Sequence, residues 1–205
     1  MVSADMGLGK TLQTICILAS QTYDRSVQHE KTKSPDSVHL PSLVICPPTL
    51  TGHWVHEIQT YTSTLRPALY GGDKATRART LASRNKIDVL VMSYDVARND
   101  IANIQKCQFN YCVLDEGHII KNGKTKLAQA LKLIQANHRL ILSGTPIQNN
   151  LLELWSLFDF LMPGFLGTEK SFNEKYSKPV QASREAKSSG KEQAAGGRKL
   201  HIFGL

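Results

Sequence analysis

Residues 4–11 read ADMGLGKT, and this stretch decides the fold. It fits the phosphate-binding pattern GxxxxGK[ST], except that Ala4 stands where the first glycine is expected. In such a segment the backbone N–H groups of the glycines face phosphates, the lysine reaches the β- and γ-phosphates, and the hydroxyl residue binds Mg²⁺. The predicted nucleotide-binding residues are therefore Gly7, Gly9, Lys10 and Thr11.

The rest of the chain alternates short apolar runs with segments of helical periodicity. The predicted strands are 43–46, 67–70, 88–92, 111–114 and 140–142, and the predicted helices are 10–23, 50–61, 73–85, 95–105, 124–136 and 151–161. The polar segment 24–41 contains two prolines and is expected to be a surface loop. This order predicts an α/β fold with a mainly parallel sheet covered by helices on both faces. The start of the chain leaves no room for the strand that normally precedes a phosphate-binding segment, so we expect the sheet to be truncated there.

Polar clusters follow the predicted strands, and in a parallel sheet they meet at one edge. The clusters are 47–49, 93–95, 115–118 and 143–146. A phosphoryl-transfer site needs one carboxylate for Mg²⁺ and a group that positions or deprotonates water, and the adjacent Asp115 and Glu116 supply both. Alone, each cluster has a plain structural explanation, such as solvated acids, a capping histidine at His118 or a turn. Their combination in this order favours a nucleotide site.

Composition limits the classes of partner. The formal net charge of +8 suits a polyanion, although solvated lysines and arginines on helix faces would give the same balance. No apolar run approaches the roughly 20 residues of a membrane span, and the first residues lack the pattern of a secretory signal. The four cysteines form no CxxC pair and have no histidines at metal spacing, which fits a reducing cytosolic or nuclear setting.

Five motifs in this order resemble motifs I, Ia, Ib, II and III of the SWI/SNF-type remodelling ATPases of helicase superfamily two. They are DMGLGKT, CPPTLTGHW (46–54), VMSYDVARND (91–100), LDEGH (114–118) and LSGTPIQNN (142–150). The stretches FNYCVLDEGHIIKNGKTKLAQA and LELWSLFDFLMPGFLGTEKSF are similar, more narrowly, to the TATA-binding-protein-associated factor ATPases. The resemblance covers roughly residues 5–195.

This resemblance implies a RecA-like lobe over residues 1–180. The richness in Ser, Gly, Lys and Ala near the end of the chain predicts a disordered tail over 181–205. It implies that Lys10 and Thr11 bind ATP phosphates and Mg²⁺, that Asp115 coordinates the metal and that Glu116 activates water. The residues expected to couple the nucleotide to DNA are His118, Ser143 and Thr145. Those expected near the duplex backbone are Pro47, Thr49 and Ser93.

The resemblance also implies a nuclear DNA-dependent ATPase that uses ATP and Mg²⁺ on double-stranded DNA, with no membrane association. In this subfamily the motor removes TATA-binding protein from DNA, and that partner is expected to bind regions outside this chain. The second lobe, with its arginine finger, is also expected outside it, so the 205-residue chain should hydrolyse ATP slowly. Two alternatives stay open, namely a non-catalytic nucleotide- or DNA-binding module and a lobe of a repair or nucleosome-sliding remodeller.

Overall fold

The computed structural model of the chain describes residues 2–3, 9–144 and 151–180. The strands are β1 (Val2–Ser3), β2 (Ser42–Cys46), β3 (Pro67–Leu69), β4 (Val89–Ser93), β5 (Gln108–Leu114) and β6 (Gln135–Ser143). The helices are α1 (Lys10–Thr32), α2 (Thr51–Tyr61), α3 (Lys74–Ala82), α4 (Tyr94–Asn99), α5 (Ile101–Ile104), α6 (Lys126–Lys132), α7 (Leu151–Leu161) and α8 (Glu169–Phe172). Short 3₁₀ turns cover Pro35–Ser37, Pro48–Leu50, Arg84–Lys86 and Gly117–Ile120, and a π-helical turn covers Asn173–Ser177.

The strands form one sheet in the order β1-β6-β5-β2-β4-β3. Every strand pair in it is parallel, which confirms the predicted α/β fold. The central strands β2 and β4 are buried along their whole length, because helices cover both faces of a parallel sheet. The sheet is therefore a rigid platform whose strand ends carry the polar clusters.

Alternate residues of each strand point into two different cores. One core contains Val44 and Cys46 of β2 together with Ile15 of α1 and with Trp54 and Ile58 of α2. The alternate residues of the strands, such as Leu43 and Ile45 of β2, are buried on the other face, where α4 and α6 contact each other. The helices thus cover the sheet from both sides, as predicted.

The beginning of the chain corrects one expectation. Val2 and Ser3 form a two-residue strand that pairs in parallel with Leu142 and Ser143 of β6. A parallel ladder needs only backbone groups in register, so even two residues before the phosphate-binding segment are enough to start it. The strand for which the sequence left no room is therefore present in a very short form.

The predicted loop over residues 24–41 is wrong up to Thr32, because α1 continues to that residue. This part of the helix is polar and largely exposed, so it lacks the apolar periodicity that marks a buried helix. Arg25 ties it to the following segment by donating to the carbonyl oxygens of Asp36 and Val38 at 2.8 and 2.7 Å. Lys33, with a φ of 52°, ends the helix.

A second compact unit comprises residues 120–123 and the described residues from 151 onward. Its helix α7 has the predicted bounds. The indole N–H of Trp155 donates to the Gly167 carbonyl at 3.2 Å, and the Gly123 N–H donates to the Ser156 hydroxyl at 3.0 Å. A single lobe over residues 1–180 stays a prediction, and the predicted disordered tail lies outside the described residues. In the part of the chain that the structure describes, no helix has both the length and the apolar character to cross a membrane.

Candidate nucleotide site

The carboxyl ends of the strands bring the polar clusters to one edge of the sheet. Cys46 at the end of β2 lies opposite Ser93 at the end of β4. Leu114 at the end of β5 lies between Ile45 and Ile141 of its two neighbours. The clusters that follow these strands therefore begin side by side, as the sequence predicts.

Helix α1 begins directly after Gly9, whose φ of 72° lies in the left-handed region that favours glycine. Lys10 and Thr11 consequently form the first turn of the helix. Backbone N–H groups in a first turn have no partner within the helix, and the helix dipole there favours an anion. Gly7 lies in the segment 4–8, outside the described residues.

Asp115 is held by hydrogen bonds on all sides. Its N–H donates to the Ile45 carbonyl of β2 at 2.8 Å. Its carboxylate accepts from the backbone N–H of Glu116 at 3.0 Å on Oδ1 and from the indole N–H of Trp54 at 2.9 Å on Oδ2. Its carbonyl oxygen accepts from the Tyr94 hydroxyl at 2.7 Å. Both the backbone and the carboxylate of this residue are thus fixed before any ligand binds.

Glu116 has a backbone φ of 54°, in the left-handed region that costs a non-glycine residue roughly 1 to 2 kcal/mol. Its Oε2 lies 3.1 Å from Nδ1 of His118, a close approach that becomes an ion pair when the imidazole is protonated. Such a strained conformation persists only where the surrounding structure enforces it, and it is concentrated at functional sites. The two side chains predicted to activate water and to couple the site to DNA are therefore in contact.

Gly117, between these two residues, packs against the sheet. A Cβ atom added there would lie 2.3 Å from Cγ2 of the buried Ile141 in β6. The turn that presents Glu116 and His118 can therefore approach the sheet this closely only with glycine at its centre.

The carboxylate of Asp115 affects the buried groups around it. Burial, and then the negative charge of Asp115, raise the pKa of the Cys46 thiol to about 12. The same two causes, in the same order, raise the pKa of the Tyr94 hydroxyl. Both groups therefore stay protonated at neutral pH, and the tyrosine remains a hydrogen-bond donor.

Asp115 fits a hard divalent cation, since each of its carboxylate oxygens accepts one hydrogen bond and retains a lone pair. Among the described residues, no group of three or more His, Cys, Asp and Glu side chains could hold a metal ion by itself. Mg²⁺ is commonly bound by one or two protein carboxylates, with phosphate and water supplying the other ligands. Thr11, in the first turn of α1, is the second protein oxygen predicted by sequence.

The residues predicted to face DNA differ in their surroundings. Thr49 is exposed and Pro47 is half-buried at the 3₁₀ turn after β2. Ser93 is buried, and its hydroxyl accepts from the Val96 N–H at 3.3 Å as the N-cap of α4. Capping alone explains this serine, whereas a contact to DNA stays a prediction for all three residues.

Of the three predicted coupling residues, His118 follows β5 and Ser143 is buried at the end of β6, two adjacent strands. Thr145 lies outside the described residues. The coupling role of all three stays a prediction.

Sequence reasoning missed Trp54 and Tyr94 as hydrogen-bond partners of Asp115. Both lie in motifs quoted above, but their bonds to Asp115 span 61 and 21 residues of chain. A hydrogen bond over such a separation leaves no periodic signal in the sequence. The only hint is that each aromatic residue follows a strand end that belongs to the same edge.

The sheet order separates two halves of this edge. Asp115 and Glu116 follow β5. On one side of β5 lie β6 and then β1, which precedes the segment predicted to bind phosphate, and on the other side lie β2 and then β4. In open parallel α/β sheets ligands bind at the carboxyl ends of the strands, so this edge is the candidate nucleotide site.

Comparison with known proteins gives the family. The SNF2-related domain profile matches residues 1–202, and the chain belongs to that family. It is similar to TATA-binding protein-associated factor MOT1 of Saccharomyces cerevisiae, with 62% identity over 94% of this chain and 10% of the relative. Human TATA-binding protein-associated factor 172 is 58% identical over the same shares. The chain thus spans about a tenth of the length of the curated relatives it matches.

A solved structure supports the same assignment. The Sulfolobus solfataricus SWI2/SNF2 ATPase core in complex with double-stranded DNA matches with a TM-score of 0.71 and 34% identity. The match covers 87% of this chain and 34% of that one. The RecA-like fold is therefore shared with a known ATPase core.

Proposed function

We propose that this chain is the ATP-binding lobe of a DNA-dependent ATPase that remodels protein–DNA complexes. The observation that carries the proposal is the fixed Asp115 carboxylate beside the strained Glu116, at the edge where the phosphate-binding helix begins. A carboxylate held in this way is ready for a cation, and the adjacent Glu116 supplies a second carboxylate to act on water.

The chain's own residues divide the work. Lys10 and the N–H groups of the first turn of α1, with Gly7 and Gly9, hold the phosphates. Thr11 and Asp115 would hold Mg²⁺, and the bound metal would supply positive charge against the phosphate oxygens. Glu116 accepts a proton from the attacking water and so loses its negative charge. His118, whose Nδ1 lies 3.1 Å from Oε2 of Glu116, interacts less strongly with the neutral carboxyl group.

We further propose that the lobe contacts the phosphates of double-stranded DNA through the segments after β2 and β4, which carry Pro47, Thr49 and Ser93. The net charge of +8 supports this, as does the DNA complex of the similar archaeal core. Ser143, the last residue of β6, and Thr145 would link this contact to the nucleotide. Contacts to phosphate rather than to bases suit a motor that moves along any sequence.

The names of the relatives support a narrower proposal. Proteins 58% and 62% identical to this chain are TATA-binding protein-associated factors, so we place the whole protein in the nucleus, where it removes TATA-binding protein from DNA. That partner would bind parts of the protein outside these 205 residues. The alternatives are a non-catalytic nucleotide- or DNA-binding module, and a lobe of a repair or nucleosome-sliding motor.

Calorimetric titration of the chain with ATP and Mg²⁺ tests the nucleotide site. Lys10→Ala removes a cation aimed at the phosphates and should weaken binding about ten- to a hundredfold, which corresponds to roughly 1.5 to 3 kcal/mol. Glu116→Gln keeps the shape and should bind as the parent does, while turnover is lost in a longer form of the protein with both lobes.

Lys31→Ala, in the last turn of the same helix, is the matched control because it removes the same charge far from the first turn. Equal affinities for Lys10→Ala and Lys31→Ala would refute the assignment. Intact turnover of Glu116→Gln in the two-lobe form would refute the role of Glu116 as the water-activating residue.

A further inference from the structure

Two aromatic side chains reach Asp115, and they bind different parts of it. The Trp54 indole N–H donates to the carboxylate oxygen Oδ2, whereas the Tyr94 hydroxyl donates to the main-chain carbonyl oxygen. Only the tryptophan therefore acts on the group that would contact a metal ion. The tyrosine holds the backbone of the same residue and provides a natural comparison.

The indole of Trp54 cannot turn freely. Its residue is 1% exposed and belongs to the core formed by α1, α2 and the strands, together with Ile15 and Ile58. Packed side chains in such a core occupy one rotamer, so the N–H direction is set by the fold. The donor is thus fixed in place before the carboxylate is oriented.

The carboxylate of Asp115 has two rotatable bonds and is only half-buried, so packing alone does not fix its orientation. The backbone N–H of Glu116 holds Oδ1 from within the turn, and the indole N–H holds Oδ2 from a different element. With both oxygens held, the remaining lone pairs point in defined directions. Partners of this kind commonly determine how tightly a ligating side chain binds its metal.

We propose that Trp54 is a positioning residue, which orients the Asp115 carboxylate for Mg²⁺ and makes metal affinity depend on the placement of helix α2. This inference rests on the proposed nucleotide site. Helix α2 follows the exposed turn that carries Thr49, so the same bond joins the segment predicted to face DNA to the segment predicted to hold the metal.

The competing explanation is that Trp54 only fills the core. A buried indole N–H needs an acceptor, and the Asp115 carboxylate supplies one. Under that explanation, loss of the N–H lowers the stability of the fold but leaves the dependence of nucleotide binding on Mg²⁺ unchanged. The two explanations therefore differ in a metal-specific measurement.

The test is calorimetric titration of the 205-residue chain with ATP, once with Mg²⁺ and once with a chelator. Trp54→Phe keeps an aromatic ring but removes the donor. We expect its metal-free affinity to equal that of the parent, and the increase in affinity given by Mg²⁺ to fall about tenfold or more. Tyr94→Phe, which leaves the carboxylate bonds intact, should keep the full increase.

The outcomes separate the two proposals. A full Mg²⁺ effect in Trp54→Phe overturns the positioning role and leaves the nucleotide site in place. An equal loss in both variants also overturns it, because a general disturbance of the turn would then explain the result. Absence of any Mg²⁺ effect in the unaltered chain overturns the proposed nucleotide site itself, and the positioning role with it.

A spectroscopic arm avoids any change at Trp54. The chain has two tryptophans, so Trp155→Phe leaves Trp54 as the only indole. When the carboxylate binds a cation, it becomes a weaker acceptor for the indole N–H, and the emission of Trp54 should shift on addition of ATP with Mg²⁺ but not of ATP with chelator. The Trp54→Phe variant, which retains Trp155, should show no such metal-specific shift. Identical Trp54 emission under the two conditions, with nucleotide bound in both, overturns the proposal.

Discussion

Gly117 lets the turn that carries Glu116 and His118 pack closely against the sheet. It lies between Glu116 and His118, and the position of its missing Cβ is already occupied by the side chain of Ile141. Because Ile141 is buried in β6, it has little room to move away. The turn that carries the candidate water-activating residue therefore depends on close packing as well as on hydrogen bonds.

Gly117→Ala should destabilise the chain by about 1 to 3 kcal/mol, the usual cost of adding a methyl group to a packed core. Urea unfolding followed by circular dichroism measures it. Gly52→Ala is the matched control, since nothing lies within 4 Å of the Cβ it would add. In helix α2 that change should be neutral or slightly stabilising. If the two variants were equally stable, the close approach at Gly117 would not constrain the turn.

At this scale the sequence predicted the identity of the acids but not their surroundings. Asp115 and Glu116 follow from their place after an apolar run. The left-handed backbone of Glu116 and the indole donor from Trp54 do not, because both depend on contacts between segments distant in sequence. Local patterns carry information on neighbours in the chain, whereas the site is built by neighbours in space.

Among the elements, the junction of α4 and α5 is held by a charged network centred on the buried Asp100. Its carboxylate accepts from the Tyr70 hydroxyl after β3, from Arg77 Nε of α3 at 3.0 Å and from Asn103 Nδ2 of α5 at 2.7 Å. Burial alone would raise the pKa of Asp100, but these hydrogen bonds and the charge of Arg77 together lower it below its ordinary value. The network thus favours the ionised carboxylate.

Because the pKa of Asp100 is lower in the folded chain, its contribution to stability is present above the unfolded pKa of about 4. It is lost as the pH falls through the lower folded value. Asp100→Asn should therefore be less stable than the parent at neutral pH, with a smaller difference in acid. Thermal unfolding across this pH range measures it, with Asp24→Asn on the exposed part of α1 as the charge-matched control. A constant gap between parent and Asp100→Asn at all pH values would contradict the expectation.

The ends of helices and strands are predictable where one buried face gives the apolar residues a regular spacing along the chain. The bounds of α7 are exact and those of β2 and α2 differ by one residue from the predicted ones. The periodicity does not predict the polar end of α1. It also predicts that the helix before β6 reaches residue 136, whereas α6 ends at Lys132. Residues 135–139 are polar except for Ala136, yet they belong to β6 because they pair with β5. This tertiary contact overrides the local preference.

For the whole molecule, the net charge predicts the response of DNA binding to salt. If the lobe contacts phosphates, its affinity for duplex DNA should be weak, nearly independent of sequence and strongly reduced by salt. Each phosphate contact adds about −0.9 to the slope of log K against log salt concentration. Fluorescence anisotropy with two duplexes of equal length and different sequence measures both properties. A flat salt response would mean that the basic residues are only a solvated surface.

The order of the strands was beyond sequence reasoning. The alternation of strands and helices predicts that the polar clusters share an edge. It does not predict that β5 lies between the strands of the side predicted to bind phosphate and those of the side predicted to face DNA. Strand order depends on which crossover packs best against the whole sheet, and a single apolar run does not encode it.

The left-handed backbone of Glu116 has a practical consequence for genetics. An inactive allele with Gln at this position retains the unfavourable backbone conformation, whereas Asn is among the residues that tolerate it best. A gain of about 1 kcal/mol in stability is enough to alter the amount of a protein in a cell appreciably. The protein with Asn at this position would then accumulate to a higher level in the cell than the protein with Gln. A dominant negative effect over the normal protein would therefore be stronger for Asn than for Gln, although both substitutions remove the same carboxylate.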